Sequence, residues 1–194
     1  MSSKTLPFAA SQLEEIIKKH KTPFHIYDEK AIRKNAQGLL KAFSWNKGFK
    51  EYFAVKATPN PFLLKILKQE GFGVDCSSLP ELILSEEVGF ADKEIMFSSN
   101  DTTTEEFIKA RELNATINLD DISHIPFLAE NGGMPRLISI RYNPGKSREG
   151  SFIMGEPSEA KYGFTKEQIF EGITDLKDLG SSALACIHSL LQMN

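Results

Sequence analysis

Cysteine, tryptophan and long apolar runs are what this chain has least of. Its 194 residues hold two cysteines, Cys76 and Cys186, and one tryptophan, Trp45. Two thiols so far apart in sequence make neither a disulfide framework nor a zinc site. A reducing, cytoplasmic setting is therefore expected. No hydrophobic run approaches the ~20 residues that a membrane-spanning helix needs. Residues 1–7 lack the basic and apolar regions of a secretory signal. Charge of one sign is not in excess either, since 23 basic and 26 acidic residues leave a formal net charge of -3. That balance argues against nucleic acid or an anionic membrane as a general partner. What remains, 41% hydrophobic and 25% charged residues, is ordinary for a globular chain.

Turning to what is present, short apolar runs alternate with segments of helical period. Strands are expected at residues 24–27, 52–56, 73–76, 94–97, 116–119, 137–142 and 183–190. Helices are expected at 11–20, 28–43, 61–69, 80–88, 104–113, 121–130 and 165–177, with a long polar loop between Asn143 and Gly163. Start signals support several of these helices: Pro80 after Ser77 and Ser78, Thr102 or Thr103 before the fifth, and Thr165 before the last. No β-hairpin signal interrupts the series, which implies a parallel sheet with helical crossovers. The fold class read from this pattern is α/β, a partial (β/α)8 TIM-type barrel. Its rival, a doubly wound open sheet, usually carries glycines just after the first strand. Here Gly71-Phe72-Gly73 lies before a strand instead. From Tyr52 onward the count is six strands, and about eight would close such a barrel. The chain is therefore expected to be an incomplete piece: a fragment, a truncated reading frame or one part of a larger assembly.

Lys56 is the most informative residue. It ends the run Tyr52-Phe53-Ala54-Val55-Lys56 and is followed by the strand-breaking Ala57-Thr58-Pro59-Asn60-Pro61. In an extended segment Tyr52, Ala54 and Lys56 share one face, while Phe53 and Val55 share the other. If the apolar pair faces helices, the Lys56 ammonium points inward at the carboxyl end of a parallel strand, where barrels keep their chemistry. A desolvated lysine there suits imine formation with an aldehyde or ketone. The plainer alternative is a solvated cation whose stem covers apolar surface.

Other polar residues fall at expected strand ends: Asp75 with Ser78, Ser98 to Asn100, Asn118, Arg141 with Asn143, and His188. Asp75 and Glu81 are candidates to flank the lysine, or simply to favour the positive end of the helix that follows. Arg141 shares a face with Ser139 and needs an anionic partner if it points inward. That partner is a cofactor oxygen or an acid on a neighbouring strand. His188 is a core histidine or a site residue.

Taken together, these segments carry a resemblance. Tyr52-Phe53-Ala54-Val55-Lys56-Ala57-Thr58-Pro59-Asn60 resembles the cofactor-lysine segment of the fold-type III pyridoxal-phosphate decarboxylases. Gly73-Val74-Asp75-Cys76-Ser77-Ser78-Leu79-Pro80-Glu81-Leu82 is similar to their G-F-D-x-x-S-x-x-E-L. Glu94-Ile95-Met96-Phe97-Ser98-Ser99-Asn100, Arg141-Tyr142-Asn143-Pro144-Gly145 and Lys161-Tyr162-Gly163-Phe164 resemble three further motifs, in the family's order. The branch most similar is diaminopimelate decarboxylase, with ornithine, arginine and carboxynorspermidine decarboxylases and alanine racemase as relatives.

The resemblance implies a barrel of the alanine racemase-like type and pyridoxal 5'-phosphate as cofactor. It implies an amino-acid substrate, and a homodimer in the full-length form. Lys56 would hold the cofactor aldehyde, with Asp75, Arg141 and His188 in the cofactor's surroundings and Glu81 in support. Residues 1–22 would associate with a β-domain, and residues 23–194 would form an incomplete pyridoxal-phosphate-binding barrel. The activity implied is decarboxylation of meso-diaminopimelate to L-lysine, absent from this chain alone. The sequence departs from the family's H-x-G-S run with Ile187-His188-Ser189-Leu190. The family's glycine-rich phosphate loop and ring-nitrogen carboxylate are expected further along than Asn194. Two other readings stay open: a degenerate protein that binds pyridoxal phosphate or a partner without catalysis, and a cofactor-free Schiff-base barrel.

Overall fold

Strand residues in this chain alternate between apolar and polar or small, and that alternation decides which way each side chain faces. The computed structural model describes residues 7–143 and 163–188. The strands are β1 (Tyr52–Ala54), β2 (Gly73–Cys76), β3 (Ile95–Ser98), β4 (Thr116–Leu119), β5 (Leu137–Arg141) and β6 (Ser182–His188). The helices are α1 (Ala10–Lys19), α2 (Glu29–Ala42), α3 (Pro61–Gln69), α4 (Leu79–Val88), α5 (Thr104–Glu112), α6 (His124–Asn131) and α7 (Lys166–Asp178). All six strands run parallel, in the order β1-β2-β3-β4-β5-β6. Because the order never reverses, right-handed crossovers place every connecting helix on the same face. This is the winding of a barrel, and it excludes the doubly wound sheet.

Register turns the alternation into rows. Cys76 pairs with Phe97, Phe97 with Ile117 and Ile117 with Ile138, giving one apolar row across four strands. Val74 beside Ile95, and Leu119 beside Ile140, extend it above and below. All of these are buried in one core with Leu64, Leu82, Phe107, Ile125, Leu128 and Leu176 from the helices. On the opposite face Ala54 pairs with Asp75, Asp75 with Met96, and Met96 with Thr116. One step nearer the carboxyl ends come Ser98, Asn118 and Ser139, which are register partners in turn. The helix-facing side is thus hydrocarbon, and the inner side carries the polar groups.

Local signals set the helix starts. Asn60 accepts the Phe62 N–H at 3.0 Å and precedes Pro61 at the first turn of α3. Thr103, not Thr102, caps α5: its hydroxyl accepts the Glu106 N–H at 3.3 Å, while Glu106 accepts the Thr103 N–H at 2.9 Å. The other Glu106 oxygen accepts the Leu79 N–H at 3.1 Å, so one carboxylate ties the starts of α4 and α5 together. Thr165 and Asp28 cap α7 and α2.

Two expectations are corrected. No strand forms at residues 24–27, where Ile26 and Tyr27 are exposed and the backbone is irregular. The reason is pairing: among the described residues the segment is hydrogen-bonded to no strand, and an extended segment without a ladder partner gains none of a sheet's stabilisation. The strand expected to reach Lys56 stops at Ala54, and residues Val55–Ala57 form a 3-10 turn. Of the long polar loop, residues 144–162 lie outside the described residues, as do Ser189 and Leu190 of the last expected strand.

Gly73 marks the tightest point of the sheet. A Cβ there would lie 2.6 Å from the Glu94 carbonyl oxygen and 2.7 Å from the Tyr52 ring. Gly73→Ala is therefore expected to destabilise the fold by about 1–3 kcal/mol through overpacking. A urea unfolding midpoint indistinguishable from the unsubstituted chain would show that β1 and β3 yield at this point.

Candidate active site

The carboxyl ends of the strands gather the polar side chains of the inner face. Asp75 leaves β2 beside Ala54 and accepts a short hydrogen bond from the Ser98 hydroxyl of β3. Ser139 of β5 donates to Asn118 Oδ1 of β4 at 2.7 Å, within the buried interior. Asp120, just beyond β4, is fully buried and faces Arg141. Arg141 Nη1 donates to Asp120 Oδ2 at 3.0 Å, and Nε lies 2.9 Å from Oδ1. Only the first of these contacts has its hydrogen in line, so Asp120 Oδ1 is left with no hydrogen-bond partner among the described residues, as is Asn118 Nδ2.

Lys56 is not desolvated as the strand alternation implied. Its side chain is exposed, because the 3-10 turn breaks the two-residue period one step before it. Val55 keeps its place in the helix-side core, while the lysine emerges at the rim. It still lies near enough to Asp75 and Asp120 to pull both carboxyls toward the ionised form. The amine and the two acids therefore share one end of the sheet.

Burial dominates the electrostatics of those acids. It raises the Asp75 carboxyl above the ordinary range, against the opposing pull of the Ser98 hydrogen bond, Lys56 and Arg141. It lifts Asp120 to about 6, with Asp121 and Asp75 adding to the rise and Arg141 and Lys56 resisting it. Cys76 is no nucleophile: it is buried against the Ser85 hydroxyl at 3.2 Å, and burial pushes its thiol up to about 12.

Glu81 folds back on its own turn. It accepts the Ser77 N–H and the Ser77 and Ser78 hydroxyls, each at 3.0 Å, which fixes the start of α4. Arg141 takes the simpler of its two expected partners, an acid on the neighbouring strand. Of His188, the backbone pairs with Arg141 across β5 and β6, and its side chain lies outside what the structure describes. Asp120 is the residue that sequence reasoning missed, lying between the strand expected at 116–119 and the helix expected at 121–130. The signal was there: Thr116, Asn118 and Asp120 keep the inner-face parity of β4.

This geometry can be set beside known proteins. The pyridoxal-binding domain of the pyridoxal-dependent decarboxylases matches residues 29–188. The chain belongs to this family. Protein TabA of Pseudomonas amygdali pv. tabaci is 34% identical over 94% of this chain and 42% of its own length. Diaminopimelate decarboxylase of Methanothermobacter thermautotrophicus is 31% identical, over 86% of this chain and 39% of its own length. The chain thus spans less than half of these curated relatives. The crystal structure of diaminopimelate decarboxylase from Helicobacter pylori complexed with L-lysine superposes with a TM-score of 0.73 at 27% identity, covering 89% of this chain and 45% of that one. Lysine decarboxylase from Selenomonas ruminantium, at 18% identity and a TM-score of 0.77 over 96% of this chain and 48% of its own, shares the fold. The family resemblance and the partial alanine racemase-like barrel expected from the motifs are borne out.

The decarboxylase family's cofactor fits the donor set on chemical grounds. A primary amine, a guanidinium and an amide N–H without a partner among the described residues stand toward the carboxyl ends of the strands, donors that suit a polar aldehyde with an anionic group. Buried polar atoms without partners cost about 1–3 kcal/mol each, and a polar ligand in the mouth would relieve that cost.

The Asp120 carboxyl sets a pH dependence with a definite sign. Its folded value of about 6 lies above the ordinary 3.8, so the folded chain holds the proton more tightly. Its contribution is fully present below about pH 4 and is lost as pH rises through 6. Asp120→Asn should remove that slope, changing the stability difference between the two proteins by about 3 kcal/mol or less from pH 4 to 7. Parallel stability-against-pH curves in urea melts would place the proton elsewhere.

Proposed function

We propose that this chain is the barrel part of an amino-acid decarboxylase that takes meso-diaminopimelate to L-lysine and CO2. The observation that carries this reading is an amine, Lys56, set at the carboxyl rim within electrostatic reach of Asp75 and Asp120, with Arg141 on the latter. Pyridoxal 5'-phosphate, when bound, supplies an electron sink for the pair left behind by departing CO2. Lys56 would hold the cofactor through its amine at the cofactor's carbonyl carbon. Asp75, held by Ser98, faces that lysine and balances its charge. Arg141 presents the cationic fork to an anionic part of the cofactor, and Asn118 Nδ2 an N–H without a partner among the described residues. His188, whose backbone pairs with Arg141, is assigned to the cofactor's surroundings by the family resemblance.

The substrate follows from the diaminopimelate decarboxylases among the relatives, at 31% identity in sequence and 27% in a superposed structure. TabA carries a different name at 34% identity, which favours a second reading: decarboxylation of a related substrate such as ornithine, arginine or carboxynorspermidine, or binding of pyridoxal phosphate or a partner without catalysis. Residues 1–22 are assigned to a β-domain and the full-length form to a homodimer, since α1 buries none of its residues and Phe62 beside the lysine segment is exposed. Among the described residues no helix is long and apolar enough to cross a membrane.

Reductive trapping tests the lysine. Borohydride treatment in the presence of pyridoxal 5'-phosphate should label Lys56, and Lys56→Ala should abolish the label. A label on another lysine with Lys56 unmodified would move the site. Carbon dioxide release from meso-diaminopimelate tests the substrate. With β1 and β6 as unpaired edges among the described residues, release is expected only from a chain as long as the curated relatives. Release from ornithine or arginine instead would reassign the enzyme, and release by the 194 residues alone would show that the barrel needs no further segment.

A further inference from the structure

Contacts at the ends of β4 and β5 converge on Asp120. Its carboxylate faces the Arg141 guanidinium through the 3.0 Å hydrogen bond and the 2.9 Å contact. Its main-chain carbonyl accepts the Gly163 N–H at 2.7 Å. The Arg141 carbonyl accepts the Phe164 N–H at 2.7 Å, and the Asn143 N–H donates to the Phe164 carbonyl at 2.8 Å. Gly163 adopts φ +94, and a Cβ there would come within 3.0 Å of the Asn143 nitrogen. Phe164 itself is fully buried in the helix-side core. The chain thus leaves at Asn143 and returns at Gly163 over the same two residues.

Such an arrangement is a poor way to gain stability. A buried carboxylate and guanidinium each lose hydration worth several kcal/mol, and an apolar pair of similar volume commonly does as well or better. What the pair does provide is direction. Asp120 is held by its backbone on one side and by burial on the other, so it offers a fixed acceptor. Arg141 has several N–H groups, and holding one of them at Asp120 restricts the orientation of the whole guanidinium. The inner face carries Ser139 and Asn118 one step below.

We propose that Asp120 is a positioning residue: it holds the Arg141 guanidinium in the orientation that receives the anionic part of the cofactor. The proposal rests on the function proposed above, in which Arg141 meets that group. Asp120 itself touches neither cofactor nor substrate and acts through the arginine. Its carboxylate is the piece that matters, so an isosteric amide should lose the effect while preserving shape.

Two measurements on the purified chain separate this role from a merely structural one. The first is the guanidinium Nη1–H resonance of Arg141 in the 15N-labelled protein, the group that donates to Asp120, assigned by its disappearance in Arg141→Lys. It is expected as a slowly exchanging signal, lost in Asp120→Asn and retained in Asp120→Glu. The second is affinity for pyridoxal 5'-phosphate, read by absorbance, in a double-mutant cycle. Asp120→Asn should weaken binding about tenfold in the parent, yet less than about twofold when Arg141→Lys is already present. Persistence of the resonance in Asp120→Asn overturns the proposal, as does an equal loss of affinity in both backgrounds. A parent chain that shows the protected resonance but binds no pyridoxal 5'-phosphate overturns the proposed function, and with it Asp120's service to the cofactor. Asp120→Glu also guards against misfolding, since it keeps the charge if the amide variant fails to fold.

Discussion

The rest of the structure depends on strands whose two faces are made of different chemistry. A parallel strand covered by helices on one side and closed into a barrel on the other has no solvent-facing side to hold polar residues cheaply. Here the helix side takes Val74, Cys76, Ile95, Phe97, Ile117, Leu119, Ile138 and Ile140, all buried in one core. The inner side takes Asp75, Ser98, Asn118 and Ser139, which hydrogen-bond in two pairs across strands. A slip of one residue in any strand would exchange the two sets. It would bury carboxyl and amide groups in hydrocarbon, so the register is strongly enforced. The site is a consequence of that enforcement, because the polar rows climb toward the same carboxyl rim.

At the rim, burial and charge pull in opposite directions, and burial wins. Asp75 and Asp120 each feel two cations, Lys56 and Arg141, and both carboxyls are still shifted upward. Desolvation of a carboxylate in a packed wall outweighs attraction to an exposed ammonium, which water screens. Lys56 stands at the open side of the group and the acids at its back. An amine so placed is accessible to a carbonyl compound while anchored electrostatically to the wall. Cys76, one residue from Asp75 but on the other face, shows how much the parity matters: its thiol is raised to about 12 and buried in the core.

Much of the local structure was legible along the chain. The bounds of α3, β2 and β4 follow from Asn60-Pro61, from the turn at Gly71 and from the short β-branched run at Thr116. Capping chemistry is local, so Thr103 and Thr165 were readable from their own neighbours. The segment at residues 24–27 was not, because strand formation is a property of pairs and no partner strand lies alongside. Glu81 misled for a related reason. Its spacing to Ser77 and Ser78 suits a turn as well as a site, and only the three 3.0 Å contacts decide between them.

By itself, the sequence determined the class of fold, the order of its elements and the family, because period, turn chemistry and motif order are written within short windows. It also determined that Lys56 stands at a strand's carboxyl end. Tertiary structure alone decided that the strand stops at Ala54 and leaves Lys56 exposed, and that Arg141 takes Asp120 as its partner. It alone brought Gly163 and Phe164 back onto both residues. These are contacts between side chains or backbones brought together by strand register, many residues apart. Their free energies depend on burial that no local window contains.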